Sequence, residues 1–298
     1  MGDQRREIAA VEAWLHAGTH VDTAEGRVFV RDVPAVEPDG SPPLLVLHGF
    51  PTNSFDFRPV LDRLAQHRRV VLFDQLGFGL SDKPDRRYGI HLQADTAEAV
   101  AHHLGLHTVD LLTHDMGDSV GGELLARSLE GRLGWDVRRR VLTNGSIYLD
   151  LAQLTVGQQL LMSLPDAAAD LVEREGYLAS LANTMADPAA APAEELAPQW
   201  ELLAHQGGER LLARTIRYLE DRRAEERRYT GAIEQHPSEL GVVWGTEDPI
   251  AVVAMTDRLA EARPHVRVTR LEGIGHYPMV EAPEQFADAV LRYLDPSD

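Results

Sequence analysis

Short unbroken apolar runs alternate with stretches of helical periodicity over the first half of the chain. Leu44–Leu47, Val70–Phe73 and residues 109–113 are runs of this kind, and residues 140–143 continue the series. Apolar runs without polar alternation suit strands buried on both faces, as in a parallel sheet. Helical spacing fills the gaps at about 55–66, 90–106 and Met116–Leu129, and residues 18–20 and 27–32 read as an opening hairpin. The repetition predicts an α/β protein, a parallel sheet with helices on both faces. It stops near Tyr148. From there to His236 the chain reads as helices alone, with an Ala/Pro-rich connector at 187–198 expected to be a mobile loop. Strand signals return at 241–245 and 266–271, with helices near 250–262 and Pro283–Leu294. Residues 1–148 and 237–298 are therefore expected to form one sheet domain, and 149–236 a helical insertion.

Each strand of an open α/β sheet delivers reactive groups at its carboxyl end. Asp115, Asp248 and His276 each follow an expected strand, in the chain order nucleophile, acid, histidine. Asp115 stands where an apolar strand runs directly into a helix, with the small residues Thr113 and Gly117 on either side. A plain helix N-cap would also use Asp there. The segment from Gly117 to Gly121 matches the serine-hydrolase pattern G-x-S-x-G. Ser119, however, falls one turn inside the expected helix, where a nucleophile is poorly presented. Asp248 would accept the Nδ1 proton of His276 and orient its ring, with Glu247 as a solvated neighbour. His48-Gly49-Phe50-Pro51 follows the first core strand. The main-chain N–H groups of Phe50 and Met116 are the candidates for an oxyanion hole, and the His48 side chain is expected to buttress its loop.

Charge and composition remove several function classes. The 298 residues carry 29 Lys plus Arg against 47 Asp plus Glu, a formal charge of −18, which disfavours nucleic acid and anionic membrane as partners. Without cysteine there is no disulfide, thiolate metal site or cysteine nucleophile. No run approaches the ~18 apolar residues of a membrane span. The first 18 residues read as an amphipathic helix rather than a secretory signal, and Arg6 stands where a myristoylation motif needs Ser or Thr. A cytoplasmic location is expected. Neither zinc spacing nor a phosphate loop is present, so no metal or cofactor is expected; Gly77 and Gly79 lack the strand-to-helix context of a dinucleotide site.

His48-Gly49-Phe50-Pro51, the segment from Asp74 to Asp82, His114-Asp115-Met116-Gly117 and Gly275-His276 together resemble the α/β-hydrolase superfamily. Within it they resemble the aspartate-nucleophile branch of epoxide hydrolases and haloalkane dehalogenases. The stretches 48–57 and 111–118, with the region from Tyr218 to Tyr229, look most like its mesoderm-specific-transcript-like subgroup. The resemblance implies a mostly parallel eight-stranded sheet with a helical cap. It implies an alkyl ester formed on Asp115 and hydrolysed by water that His276 activates. Dehalogenases of the branch hold the halide with a side-chain donor after the nucleophile and another in the HG-x-P loop. Met116 and Phe50 occupy those places and donate nothing. Epoxide opening needs acidic O–H donors from the cap. Tyr218 matches one such tyrosine by its place before the strand leading to Asp248. The usual second tyrosine has no motif match among Tyr148, Tyr177 and Tyr229, leaving room for another donor such as Trp200. Trp200 and Tyr148 are the candidates for substrate contact. The expected partners are a small apolar epoxide-type substrate and water; homodimerisation stays open. A dehalogenase or esterase on the same site, or a non-catalytic relative used for binding, are the alternatives.

Overall fold

The computed structural model describes residues 2–166 and 172–295. Its eight strands are β1 (Thr19–Thr23), β2 (Gly26–Val33), β3 (Leu44–Leu47), β4 (Val70–Phe73), β5 (Thr108–His114), β6 (Asp136–Thr143), β7 (Glu239–Gly245) and β8 (Arg267–Leu271). They form one sheet in the order β1-β2-β4-β3-β5-β6-β7-β8. Only the β1–β2 and β2–β4 pairs are antiparallel. β3 and β4 are buried along their whole length, the physical origin of their continuous apolar runs. Leu47 pairs with Thr113, and His114 with Thr143, so the carboxyl ends of β3, β5 and β6 lie side by side. At the opposite end of β5 the buried Asp110 binds Arg68 at 2.6 Å. Arg138 grips the same carboxylate, which satisfies a charge inside the core.

Between β6 and β7 every described regular element is helical. The long helix Tyr218–Gln235 lies along helix Met116–Leu129, which starts immediately after Asp115. A Cβ at Gly122 would meet the Tyr229 carbonyl oxygen at 3.0 Å, so the two helices approach closely there. Arg228 Nε donates to Glu123 Oε2 at 2.5 Å and Arg127 Nε to Glu123 Oε1 at 2.8 Å, clamping the pair through a buried carboxylate.

Two expected elements differ from the observed ones. The helix placed at 55–66 is a 3₁₀ segment, Ser54–Val60, followed by the single α-turn Leu61–Leu64. Asn53 Oδ1 accepts the Phe55 N–H and Pro59 supplies no donor, which breaks a regular α-helical ladder. The connector at 187–198, expected as a mobile loop, holds the short turn Pro188–Ala190 and the start of helix Ala193–Ala204. That helix tolerates Pro198 because it is pinned from outside. Gln199 accepts from Asn53 Nδ2 and donates to Asp56, both at 2.8 Å.

Candidate active site

Asp115 sits on the turn between β5 and helix Met116–Leu129 with φ 50° and ψ −116°. A positive φ is costly for a residue with a Cβ and persists only where the surroundings enforce it. The surroundings here are close-packed backbone. A Cβ at Gly117 would lie 2.3 Å from the Leu47 carbonyl oxygen, and one at Gly49 would lie 2.4 Å from the Asp115 Cβ. Glycine at both positions lets the β3 loop and the turn come into contact. That contact delivers the Phe50 N–H to Asp115 Oδ1 at 2.7 Å. The Met116 N–H also faces the carboxylate and acts to lower its pKa. His48 holds the loop as expected: its Nδ1 faces the Gly49 carbonyl at 2.9 Å, and its Nε2 accepts the Gln75 N–H at 2.9 Å.

The other carboxylate oxygen, Oδ2, lies 3.7 Å from His276 Nε2. His276 Nδ1 lies 2.8 Å from Asp248 Oδ2. Asp248 also accepts N–H groups from Ile250 and Ala251 on Oδ1 and the Asn144 amide on Oδ2. Four hydrogen bonds thus leave it one orientation. Asn144, which ends β6 with φ 45°, was not anticipated as a site residue. Its Oδ1 in turn accepts the Gly245 N–H at 2.9 Å, joining β6 to the Asp248 loop. A polar residue closing a core strand at the same sheet end as Asp115 is the signal that points to it. The His276 loop is tied down by Glu281, which accepts N–H groups from Gly275, Tyr277 and Ala186.

Asp115, Asp248 and His276 are all buried. Burial alone would lower the His276 pKa, but the Asp248 and Asp115 carboxylates outweigh it and raise it to about 9. Burial raises the Asp115 pKa; the His276 charge, the Phe50 and Met116 N–H groups and Arg222 pull the other way. We read the pair at neutral pH as imidazolium beside carboxylate, since each partner favours the charged form of the other. Ser119 lies inside helix Met116–Leu129, and among the described residues no histidine bonds its hydroxyl.

Two neighbouring cavities lie near these residues, and His276 borders one of them. The larger, about 200 Å³, is mainly apolar and is bordered by Phe50, Tyr177, Leu181, Leu212, His276 and Tyr277 among others. The second, about 140 Å³, is bordered by Ser146, Tyr218, Arg222 and Arg223, with Gln158 and Ile250 common to both. Tyr218 is buried, and its ring centroid lies 5.9 Å from that of Phe50, on the loop that touches Asp115. Burial and then the Asp115 charge raise its pKa well above the usual phenol value, so it keeps its proton. Neither substrate-contact candidate borders these cavities. Trp200 packs behind Tyr177, with ring centroids 6.1 Å apart. The Tyr148 hydroxyl is engaged by Glu234 at 3.1 Å and its ring is covered by Arg258 at 5.0 Å. Tyr177 and Tyr277, by contrast, border the larger cavity. Arg222 was also unforeseen, although it follows Tyr218 by one helical turn. Among the described residues no group of three or more His, Asp or Glu side chains is arranged to hold a metal ion.

Residues 44–289 match the model of the alpha/beta hydrolase family. The chain belongs to that family. It is 43% identical over 287 residues to the putative hydrolase LipZ of Mycobacterium tuberculosis, covering 96% of this chain and 98% of the relative. It is 30% identical over 298 residues to the human mesoderm-specific transcript homolog protein, covering 96% and 88%. Among solved structures, it superposes on a loop variant of the haloalkane dehalogenase DbeA from Bradyrhizobium elkanii with a TM-score of 0.76. That match covers 93% of this chain and 95% of the other at 20% identity, a likeness of fold. The α/β-hydrolase expectation therefore holds for fold and family, and the chain is a hydrolase of this fold. Among the described residues no helix is long and apolar enough to cross a membrane.

Proposed function

We propose that this hydrolase opens an epoxide to a diol through an ester on Asp115. The reading rests on the way the two oxygens of that carboxylate are differentiated. Oδ1 accepts the Phe50 N–H, while Oδ2 faces the His276 ring. In the first step Oδ2 attacks an epoxide carbon; the C–O bond of the ring breaks and its electrons go to the ring oxygen. Tyr218 supplies a proton to that oxygen, and the phenolate recovers one from the His276 imidazolium through the closed site. Esterification removes the Asp115 charge, one of the groups holding the His276 proton, so the imidazole is left neutral when it is needed as a base. In the second step His276 takes a proton from water, and the oxygen attacks the ester carbonyl. The oxyanion forms where the Phe50 and Met116 N–H groups already point. Collapse of the tetrahedral intermediate breaks its bond to the substrate oxygen, which takes the proton left on the added hydroxyl; the diol leaves and the carboxylate is restored beside the imidazolium, closing the proton balance.

Residues 149–236 serve in this reading as a cap over a core of residues 1–148 and 237–298, bringing Tyr218 to the site. A halide leaving group is less well served, because the Phe50 and Met116 side chains offer it no donor. A cytoplasmic location belongs to the same reading. The test is a single turnover with a panel of epoxides in heavy-oxygen water, followed by peptide mass spectrometry. Label in the Asp115 peptide is expected. Diol formed with that peptide unlabelled overturns the mechanism.

A further inference from the structure

Arg222 is 4% exposed, yet among the described residues its guanidinium makes no hydrogen bond or ion pair with the protein. The acidic groups that influence it, Asp115, Glu226 and Asp118, act from beyond ion-pair distance. Glu226 is occupied elsewhere, accepting the Leu149 N–H at 2.9 Å. Asp118 accepts from Thr113. A buried cation without a close partner is expensive, and a fold retains one where something else supplies the counter-charge. The contrast with the other buried arginines is direct: Arg68 is paired with Asp110, and Arg140 donates to Ser238 and to the Ile233 carbonyl.

Arg222 borders the 140 Å³ cavity. Arg223, exposed, borders it too, and Ser146, Gln158 and Tyr218 add polar groups; no carboxylate is among the lining residues. In a chain with a formal charge of −18, a cavity with two arginines and no acid departs from the surrounding field. Tyr218 links this cavity to the chemistry, lying against Phe50, whose N–H binds Asp115. The larger, apolar cavity shares Gln158 and Ile250 with the second as lining residues.

We propose that the substrate is an acid: an epoxide whose carboxylate is received by Arg222 in the smaller cavity while its apolar portion occupies the larger one. A planar guanidinium offers parallel N–H donors that match the two oxygens of a carboxylate. Arg223 at the margin draws the anion in against the net negative charge. Arg222 thus sets specificity, and the proposal rests on the reading of Asp115 as nucleophile only for what happens after binding.

Binding and chemistry are separable by experiment. Calorimetric titration of the whole chain with 4-phenylbutyrate and with 4-phenylbutan-1-ol compares an anion with its neutral counterpart and needs no turnover. The wild type is expected to bind the acid at least about tenfold tighter, as a charge-assisted bond allows. Arg222→Met removes that preference and Arg222→Lys restores part of it. In turnover, Arg222→Met lowers kcat/KM for 3-phenylglycidate at least about tenfold more than for trans-1-phenyl-1,2-epoxypropane, chiefly through KM. Equal affinity for acid and alcohol in the wild type overturns the proposal whether or not the variant folds, and so does a preference that survives in Arg222→Met. A clear preference for the acid with no label reaching Asp115 would instead leave the anion site standing and remove the epoxide reading.

Discussion

On the sheet side of the site Asp248 and the His276 loop are held by other groups: Asp248 accepts four hydrogen bonds, and Glu281 fastens the His276 loop through three N–H groups. On the helical side, among the described residues, the Tyr218 hydroxyl and the Arg222 guanidinium take no protein partner, although both residues are buried. In the proposed reaction the difference separates two tasks. Groups that shift protons within the protein need fixed orientation, and hydrogen bonds at the strand ends provide it. Groups reserved for a ligand must keep their donors free, and the cost of leaving them unpaired falls on the packing that buries them. Helix Tyr218–Gln235 bears that cost. Its close approach to helix Met116–Leu129 and the Arg228–Glu123 clamp fix where Tyr218 and Arg222 sit without using their polar atoms.

The comparison breaks first at Asp115. Asp115→Ala is expected to lower kcat by at least about ten-thousand-fold, as loss of a nucleophile does; an epoxide assay retaining a tenth of the activity would refute its role. His276→Gln should act on one step alone. Ester hydrolysis slows by about a thousand-fold while ester formation continues, and the adduct appears as added substrate mass on the intact protein. A variant that turns over normally, with no adduct, contradicts the assignment. Tyr218→Phe sharpens the contrast between the two sides. Ring opening should slow by about a hundred-fold, with little loss of thermal stability because the hydroxyl serves no protein group. A large drop in Tm with unchanged kcat would show the reverse.

The smallest effect is that of pH on stability. The folded pKa of His276 is about 9 against an ordinary 6.5, so its contribution is fully present below pH 6.5 and is lost as pH climbs through about 9. Wild-type Tm should therefore fall more steeply than that of His276→Gln between pH 7 and 9.5. Parallel curves would mean that the imidazolium pair adds nothing to stability.

Much of the architecture was legible in the sequence because burial on both faces leaves a local trace. Leu44–Leu47, Val70–Phe73, helix Met116–Leu129 and helix Pro283–Leu294 stand where the apolar pattern put them. The 55–66 segment did not, since a local cap and a proline outweighed its apolar spacing, and neither did 187–198, whose form depends on distant partners. Asn53 caps Phe55, and Gln199 is drawn into a helix face that meets Asn53 and Asp56. Trp200 and Tyr148 show the same limit. Both are aromatic residues of the right region, but one is spent on Tyr177 and the other on Glu234 and Arg258.

By itself the sequence determined the order of strands and helices and the residues at the strand ends, because a strand's period and the polar residue that stops it are properties of a few neighbouring positions. Tertiary structure alone decided which oxygen of Asp115 meets His276, that Asn144 completes the grip on Asp248, and that Arg222 is enclosed beside a cavity without a counter-ion. Those are relations between segments tens of residues apart. Their energies depend on distances and desolvation that arise only once the helices have closed over the sheet.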